Sequence, residues 1–396
     1  MKQLFSFIIT LLLLVNFLYG LDDSALLDSY IRIFDEASLD TKVRILEMAG
    51  DETSISMGQF YVHALDFLIA EQAVTRTTPL GREIGRIALR EILDRDYSVA
   101  NQIVWQVFEV SDDSILRIQA METLAVLAKN DEQSINKINR YLRDQVSFFR
   151  NHEVLDQRVV FSAIDALARL GSDSSFEYLL EAAVIGLPDV LSQSAGKALF
   201  ELASSAYTLF SQYLDRAQPQ EIILAFDFIC TTKNLAEKEV KDLAYQVFEI
   251  AAHTAAMGVK ETRELRNLRY KACEKLIELK WNDDVFLAVE HFKATKLEYE
   301  TQKIPISSNR PMVDAITLLG LFKDKKAAAT LVEYLMVTNR KTDREKPAEA
   351  QLVLATVKSL GEIGDISAMD ALNYTRFLPY DEKIIKAARD AILMLK

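Results

Sequence analysis

The sequence predicts an all-α protein that is built from repeated helix pairs. Its 396 residues include only 12 Gly and 7 Pro, whereas sheet-rich folds need turns that draw heavily on both residue types. Half of the residues are apolar and 26% are charged, which is typical of a folded chain. A third observation, a short pattern of small and apolar residues that recurs along the chain, predicts that the helices form repeats.

The recurring pattern is a triplet. It consists of a small residue, an apolar residue four positions later and another apolar residue three positions after that. These spacings place all three on one helix face, and the small residue lets a neighbouring helix approach closely. We call the first residue of each triplet an anchor. The anchors are Gly85, Ala120, Ala163, Ala195, Ala225, Ala272, Ala315, Thr356 and Ala388.

The spacing of the anchors predicts the size of the repeat. Successive anchors are 30 to 47 residues apart, with a mean of about 38, which suits two helices and their loops. A second apolar helix follows most anchors, for example at 176–180 and 328–335. We therefore expect about nine or ten helix pairs in the whole chain.

Turn residues support this division. Six of the seven prolines stand four to nine residues before an anchor, where proline suits a first helical turn. Thr78 and Pro79 are typical of an N-cap followed by the first helical residue. Gly171 is predicted to end one anchor helix in the left-handed conformation, and Gly361 and Gly364 are predicted to do so for another.

The stretch from Asp113 to Ala120, with Arg117 between them and Leu124 and Leu127 behind, resembles the first helix of a HEAT repeat. A similar match covers 356–371, including a leucine-glycine-x-x-glycine-aspartate turn. The resemblance extends over roughly 80–396 and implies a HEAT-like alpha-solenoid, an armadillo-like helical fold that offers an extended surface for protein–protein interaction. Tetratricopeptide arrays fit less well, because their 34-residue period and aromatic signature are missing.

The N-terminus has the layout of a secretory signal peptide. A lysine precedes an apolar run of about fifteen residues, shorter than the roughly twenty needed to span a bilayer, and Gly20 is the small residue before the expected cut. An uncleaved membrane anchor stays open as an alternative. The expected organisation is a signal peptide at 1–20, a helical cap at 21–78, repeats at 79–299, a loop at 300–311 and further repeats at 312–396.

Composition and motifs bear on the class of function. The formal net charge of −12 argues against nucleic acid as a partner. The four His residues lack His or Cys neighbours at metal-ligand spacing, and no phosphate-binding loop is present, so we expect neither a metal nor a cofactor. Cys230 and Cys273 are expected to be buried thiols, although their 43-residue spacing keeps a disulfide between neighbouring repeats open.

One segment departs from the overall acidity. Residues 260–275 carry a local net charge of +3 and predict a basic stripe on one side of a helix. We expect this stripe, with part of the nearby loop, to contact an acidic protein or an anionic component of the envelope, and a solvated helix face stays open as the alternative. The predicted contact residues are Arg263, Arg266, Arg269, Lys271, Lys303 and Arg310.

These observations predict a non-catalytic scaffold or adaptor that is exported and binds another protein in the bacterial cell envelope. The periplasm is the expected compartment, with secretion or membrane anchoring through an uncleaved signal as alternatives, and membrane contact is expected only through that signal. The resemblance leaves a second class open, a HEAT-like lyase or accessory enzyme that modifies a protein partner.

Overall fold

The computed structural model describes residues 23–52, 57–72, 78–256, 262–301, 309–344 and 348–396. Within these residues the regular structure is helical, with twenty α-helices, three short 3₁₀ helices and no strand, which confirms the all-α prediction. In this described part, no helix is both long and apolar enough to cross a membrane.

The contacts divide the chain into two compact units, Met1–Ala206 and Tyr207–Lys396. The first unit contains α1 Asp23–Glu36, α2 Leu39–Ala49, α3 Met57–Ala70, α4 Pro79–Asp94, α5 Asn101–Val110, α6 Ser114–Leu127, α7 Glu132–Arg150, α8 Gln157–Leu170, α9 Phe176–Val184 and α10 Asp189–Ala198. The second contains most of α11 Ala206–Leu214, then α12 Pro219–Thr231, α13 Glu237–Ala256, α14 Arg263–Glu278, α15 Val285–Glu300, α16 Arg310–Gly320, α17 Lys325–Arg344, α18 Ala350–Ile363, α19 Met369–Thr375 and α20 Glu382–Met394.

Each unit consists of two layers of helices. In the first unit, α2, α4, α6, α8 and α10 pack side by side in one layer, and α1, α3, α5, α7 and α9 do so in the other. Across the layers, α3 packs on α4, α5 on α6, α7 on α8 and α9 on α10. In the second unit, α12, α14, α16, α18 and α20 form one layer, and α13, α15, α17 and α19 the other. This next-but-one packing is typical of helical repeats.

The anchors lie one to a helix on the even-numbered helices from α4 to α20, and all nine are buried. Close approach explains the small side chains. A Cβ added at Gly361 would lie 2.9 Å from the Cβ of Ala391 on α20, and one added at Gly85 would lie 2.9 Å from a methyl of Leu116 on α6. Gly361 therefore sits inside α18 as a helix-contact residue, and the prediction that it caps the helix is wrong.

The other caps agree with the sequence. Thr78 accepts a hydrogen bond from the backbone N–H of Gly81 while Pro79 begins α4. Gly171 ends α8 with a φ of 65°, and Gly364 ends α18 with a φ of 76°. Both angles lie in the left-handed region that favours glycine at a helix C-terminus.

Polar side chains link neighbouring helices within a layer. Asp113 caps α6 and also forms a 2.5 Å ion pair with Arg82 of α4. In the odd-numbered layer of the first unit, Asn139 of α7 donates to the carbonyl of Ser174, and in that of the second unit Asn339 of α17 donates to the carbonyl of Ala371 at 3.2 Å. These bonds satisfy buried polar groups and fix the register of adjacent helices.

Candidate partner-binding surface

The predicted basic stripe lies mainly on α14. Arg263, Arg266, Arg269 and Lys271 belong to this helix, and Arg310 begins α16. Lys303 lies outside the described residues, so the structure does not place it.

Arg269 is completely buried and cannot form part of an exposed stripe, which corrects that expectation. Its guanidinium donates to a carboxylate oxygen of Glu298 at 2.6 Å, to Nδ1 of His291 at 2.9 Å and to the hydroxyl of Thr295 at 2.9 Å. The physical reason is the position of Arg269 on the helix: α14 packs against α12, α13 and α16, and Arg269 lies on a covered side, from which it reaches across to α15.

The same cluster fixes the protonation of His291. Because Arg269 can only donate, Nδ1 of His291 accepts and its proton lies on Nε2. Burial and the neighbouring Arg269 cation lower the pKa of His291, so the ring stays neutral. Tyr270 donates to the second carboxylate oxygen of Glu298, and burial together with this bond raises the pKa of Tyr270. The cluster is a buried charge network inside the second unit, in which the Nε2 atom of His291 has no hydrogen-bond partner among the described residues.

Carboxylates neutralise most of the remaining predicted residues. Arg266 lies 3.5 Å from Glu298. Lys271 pairs with Asp227 at 2.8 Å, and Arg310 pairs with Asp314 at 2.8 Å and with Glu274 at 3.0 Å. Arg263 is exposed at the start of α14. The positive charge that the sequence places on one helix is therefore shared with acidic side chains of the neighbouring helices.

The two cysteines are free thiols. Cys273 is buried, and Cys230 is half-buried on α12. Burial raises the pKa of the Cys230 thiol to about 11, so it is protonated and unreactive at neutral pH. Among the described residues, no group of three or more His, Cys, Asp or Glu is arranged to hold a metal ion.

A different surface, on the first unit, is grooved. One open groove of about 430 Å³ lies between α4 and α6, and a second of about 400 Å³ lies between α6, α8 and α10. Both grooves are lined by Ile118 and Glu122, so together they form one continuous surface, which we call the α4–α10 face. Other residues that line this face are Arg86, Arg90, Ile115, Arg158, Phe161, Asp165 and Val190.

Exposed apolar side chains distinguish this face. Ile115 is 47% exposed, Phe161 43% and Val190 65%. They belong to three successive helices of one layer, whereas isolated exposed apolar residues are common on any protein surface. Grouped apolar side chains in a groove with charged edges are typical of protein-interaction sites.

This face was not among the sequence-based predictions, although part of its pattern is present in the sequence. Ile118 and Phe161 each stand two residues before an anchor, which places them about 160° from the anchor around the helix. An apolar residue at that position points away from the buried triplet. Glu122 and Asp165 each stand two residues after an anchor and also point outward, next to the apolar pair.

The comparisons with known proteins give no family. The chain matches no protein-family model and no curated protein. A crystal structure of an engineered protein is similar at 15% identity over 93% of this chain and 98% of the other, with a TM-score of 0.32. A similarity this low carries no argument about fold or function, so both must be inferred from the residues themselves.

Proposed function

We propose that the protein is a non-catalytic scaffold or adaptor that binds another protein through the α4–α10 face. The observation that carries this proposal is the group of exposed apolar side chains, Ile115, Phe161 and Val190, in two joined grooves. Burying them would remove apolar surface from water, which is the main favourable term in protein association.

The proposal includes the finer architecture. The two-layer packing and the buried anchors support a HEAT-like alpha-solenoid. The lysine and apolar run at the N-terminus support a signal peptide ahead of it and, with that, action in the periplasm of a bacterial cell envelope. Residues 1–20, which carry the expected signal, lie outside the described part of the chain. A protease-protection assay on intact and permeabilised cells tests the compartment, and N-terminal sequencing of the isolated protein tests cleavage after Gly20.

The chain offers a matched pair of variants for the binding surface. Phe161 on α8 and Phe148 on α7 are 43% and 41% exposed, and they lie in opposite layers of the same unit. Affinity capture from envelope extracts with the unaltered chain, with Phe161→Glu and with Phe148→Glu separates the two layers. We expect the same captured protein with the unaltered chain and with Phe148→Glu, and its loss with Phe161→Glu.

The predicted basic stripe remains a second location for a partner. Its charges are mostly paired, and surface ion pairs contribute little, so an acidic partner would compete with carboxylates already in place. Capture that survives Phe161→Glu but fails with Arg263→Glu would move the site to α14 and contradict the proposal for the α4–α10 face.

A further inference from the structure

The charged side chains that line the α4–α10 face differ in how they are paired. The three arginines, Arg86, Arg90 and Arg158, each lie within 4.0 Å of a carboxylate on or next to their own helix. Glu122 lines both grooves, is exposed and has no ion pair among the described residues. The charge that the face leaves without a partner is therefore negative.

A second carboxylate lies beside Glu122. Asp165 is about half exposed, and its one ion pair is a 3.9 Å contact with Arg169, a length and exposure at which a pair contributes little. The two acidic residues each stand two positions after an anchor, on helices α6 and α8, which pack side by side. Lys197 holds the same position on α10 but does not line either groove.

Apolar side chains accompany both carboxylates. Ile118 precedes Glu122 by four residues, which is about 6 Å along the helix axis. Phe161 precedes Asp165 by the same interval. Lysine and arginine side chains suit such a surface, because their apolar stems can cover an apolar side chain while the charged group reaches a carboxylate. An acidic side chain in the same place would meet like charge.

The charge of the whole chain acts in the same direction. A formal net charge of −12 attracts basic partners at long range and repels acidic ones. It also argues against a second copy of this chain as the occupant. In a two-fold contact the same patch lies on both sides, so each acidic pair would face an acidic surface.

Building on the proposed function, we propose that the α4–α10 face binds a segment of a partner protein that is both apolar and basic. Apolar side chains of the segment cover Ile118, Phe161 and Val190. Its lysine or arginine side chains pair with Glu122 and Asp165, while the arginines of the face keep their present partners.

Three fluorescein-labelled peptides test this composition. The first has the core leucine-lysine-serine-leucine-lysine-serine between glycine-serine flanks, the second has glutamate for each lysine, and the third has serine for each leucine. Fluorescence anisotropy with the purified unaltered chain measures binding. We expect the first peptide to bind at least about fivefold more tightly than either of the others, because it alone makes both kinds of contact.

Two matched pairs of variants locate the binding. Glu122→Lys on α6 and Asp144→Lys on α7 change the net charge equally but lie in opposite layers of the first unit. Glu122→Lys should weaken the first peptide at least about fivefold, and Asp144→Lys less than about twofold. Phe161→Ser and Phe148→Ser should differ in the same way. The variant with both Glu122→Lys and Asp165→Lys should prefer the second peptide to the first.

Several results would overturn the inference. They are no binding of the first peptide up to about 1 mM, equal binding of the lysine and glutamate peptides, and an unchanged preference in the double variant. Equal weakening by Glu122→Lys and Asp144→Lys would also overturn it, because attraction by net charge would then explain the binding. Light scattering that shows a dimer of the unaltered chain, dissociated by Phe161→Ser, would assign the face to a second copy instead.

Partner capture separates these failures from a failure of the proposed function. If capture still depends on Phe161, the docking face stands and only the composition of its partner is wrong. If capture is insensitive to Phe161, the proposed function fails.

Discussion

Helix α14 of the second unit and helix α8 of the first unit each carry a side chain whose exposure is unusual for its type, and the two differ in opposite directions. On α14, a charged side chain that would favour water, Arg269, is fully buried and hydrogen-bonded to Glu298, His291 and Thr295. On α8, an aromatic side chain that would favour the core, Phe161, is 43% exposed at the edge of a groove. Each residue departs from the usual distribution of its type.

The difference shows where binding energy is available. Most of the cations around α14 already have carboxylate partners within the unit, so a partner protein would gain little by contacting them. Phe161, Ile115 and Val190 remain in contact with water and would gain free energy when covered. The cluster on α14 contributes to the stability of the second unit, and the α4–α10 face is the better candidate for binding a partner.

The largest expected effect is on α14. Arg269→Ala leaves the buried carboxylate of Glu298 without its closest cation, and truncating one partner of a buried pair costs about 3–5 kcal/mol. Urea unfolding followed by circular dichroism measures this loss. Lys271→Ala, which removes an exposed pair with Asp227, should cost less than about 1 kcal/mol. Similar losses in both variants would contradict the structural role of the cluster.

A smaller difference in stability is expected between variants of Arg266 and Arg263, which the sequence places in the same basic stripe. Arg266→Glu places a second carboxylate near Glu298, from which Arg266 is 3.5 Å away, and should cost about 1–3 kcal/mol. Arg263→Glu, at an exposed position in the first turn, should change stability by less than about 0.5 kcal/mol. Thermal unfolding of the two variants side by side tests this, and equal melting temperatures would place Arg266 outside the network.

Much of the fold was predictable because its signal is local. The anchors depend on spacings of three and four residues within one helix, and all nine fall on buried positions of even-numbered helices. Thr78 and Gly171 act through bonds to residues at most four positions away, so their caps were also predictable. Gly361 was misinterpreted because the contact that requires it is Ala391, thirty residues along the chain.

The candidate site was less predictable because its signal is not local. The burial of Arg269 depends on Glu298, His291 and Thr295, which belong to another helix, and a single-helix projection cannot show that coverage. Phe161 could have been identified, since it lies opposite the triplet that begins with Ala163. Whether Phe161 belongs to an apolar surface depends on Ile118 and Val190 of neighbouring helices, which only the fold brings beside it.

Acid should weaken the cluster on α14. The folded pKa of His291 is lowered by burial and by Arg269, so below pH 6.5 the unfolded chain binds a proton that the folded chain excludes. Stability from this group is therefore complete above pH 6.5 and falls as pH decreases, by up to about 1.4 kcal/mol per pH unit. The difference in unfolding free energy between the unaltered chain and His291→Asn should shrink from pH 7.5 to pH 5.

The exposed His253 provides a control substitution of the same kind. At pH 7.5, His253→Asn should change the free energy of unfolding by less than about 0.5 kcal/mol, because an exposed side chain contributes little to stability. A constant difference between the unaltered chain and His291→Asn over the same range would show that His291 takes up a proton as readily in the folded chain as in the unfolded chain, and would contradict the lowered pKa.

The smallest expected effect on stability concerns the two exposed phenylalanines. Phe161→Glu and Phe148→Glu should each change the free energy of unfolding by no more than about 0.5 kcal/mol, because neither side chain fills the core. Urea unfolding measures both. If the two variants are equally stable, a loss of partner capture that is specific to Phe161→Glu reflects a lost contact with the partner. If Phe161→Glu destabilises the unit by more than about 2 kcal/mol, Phe161 contributes to the core and lost capture would reflect unfolding.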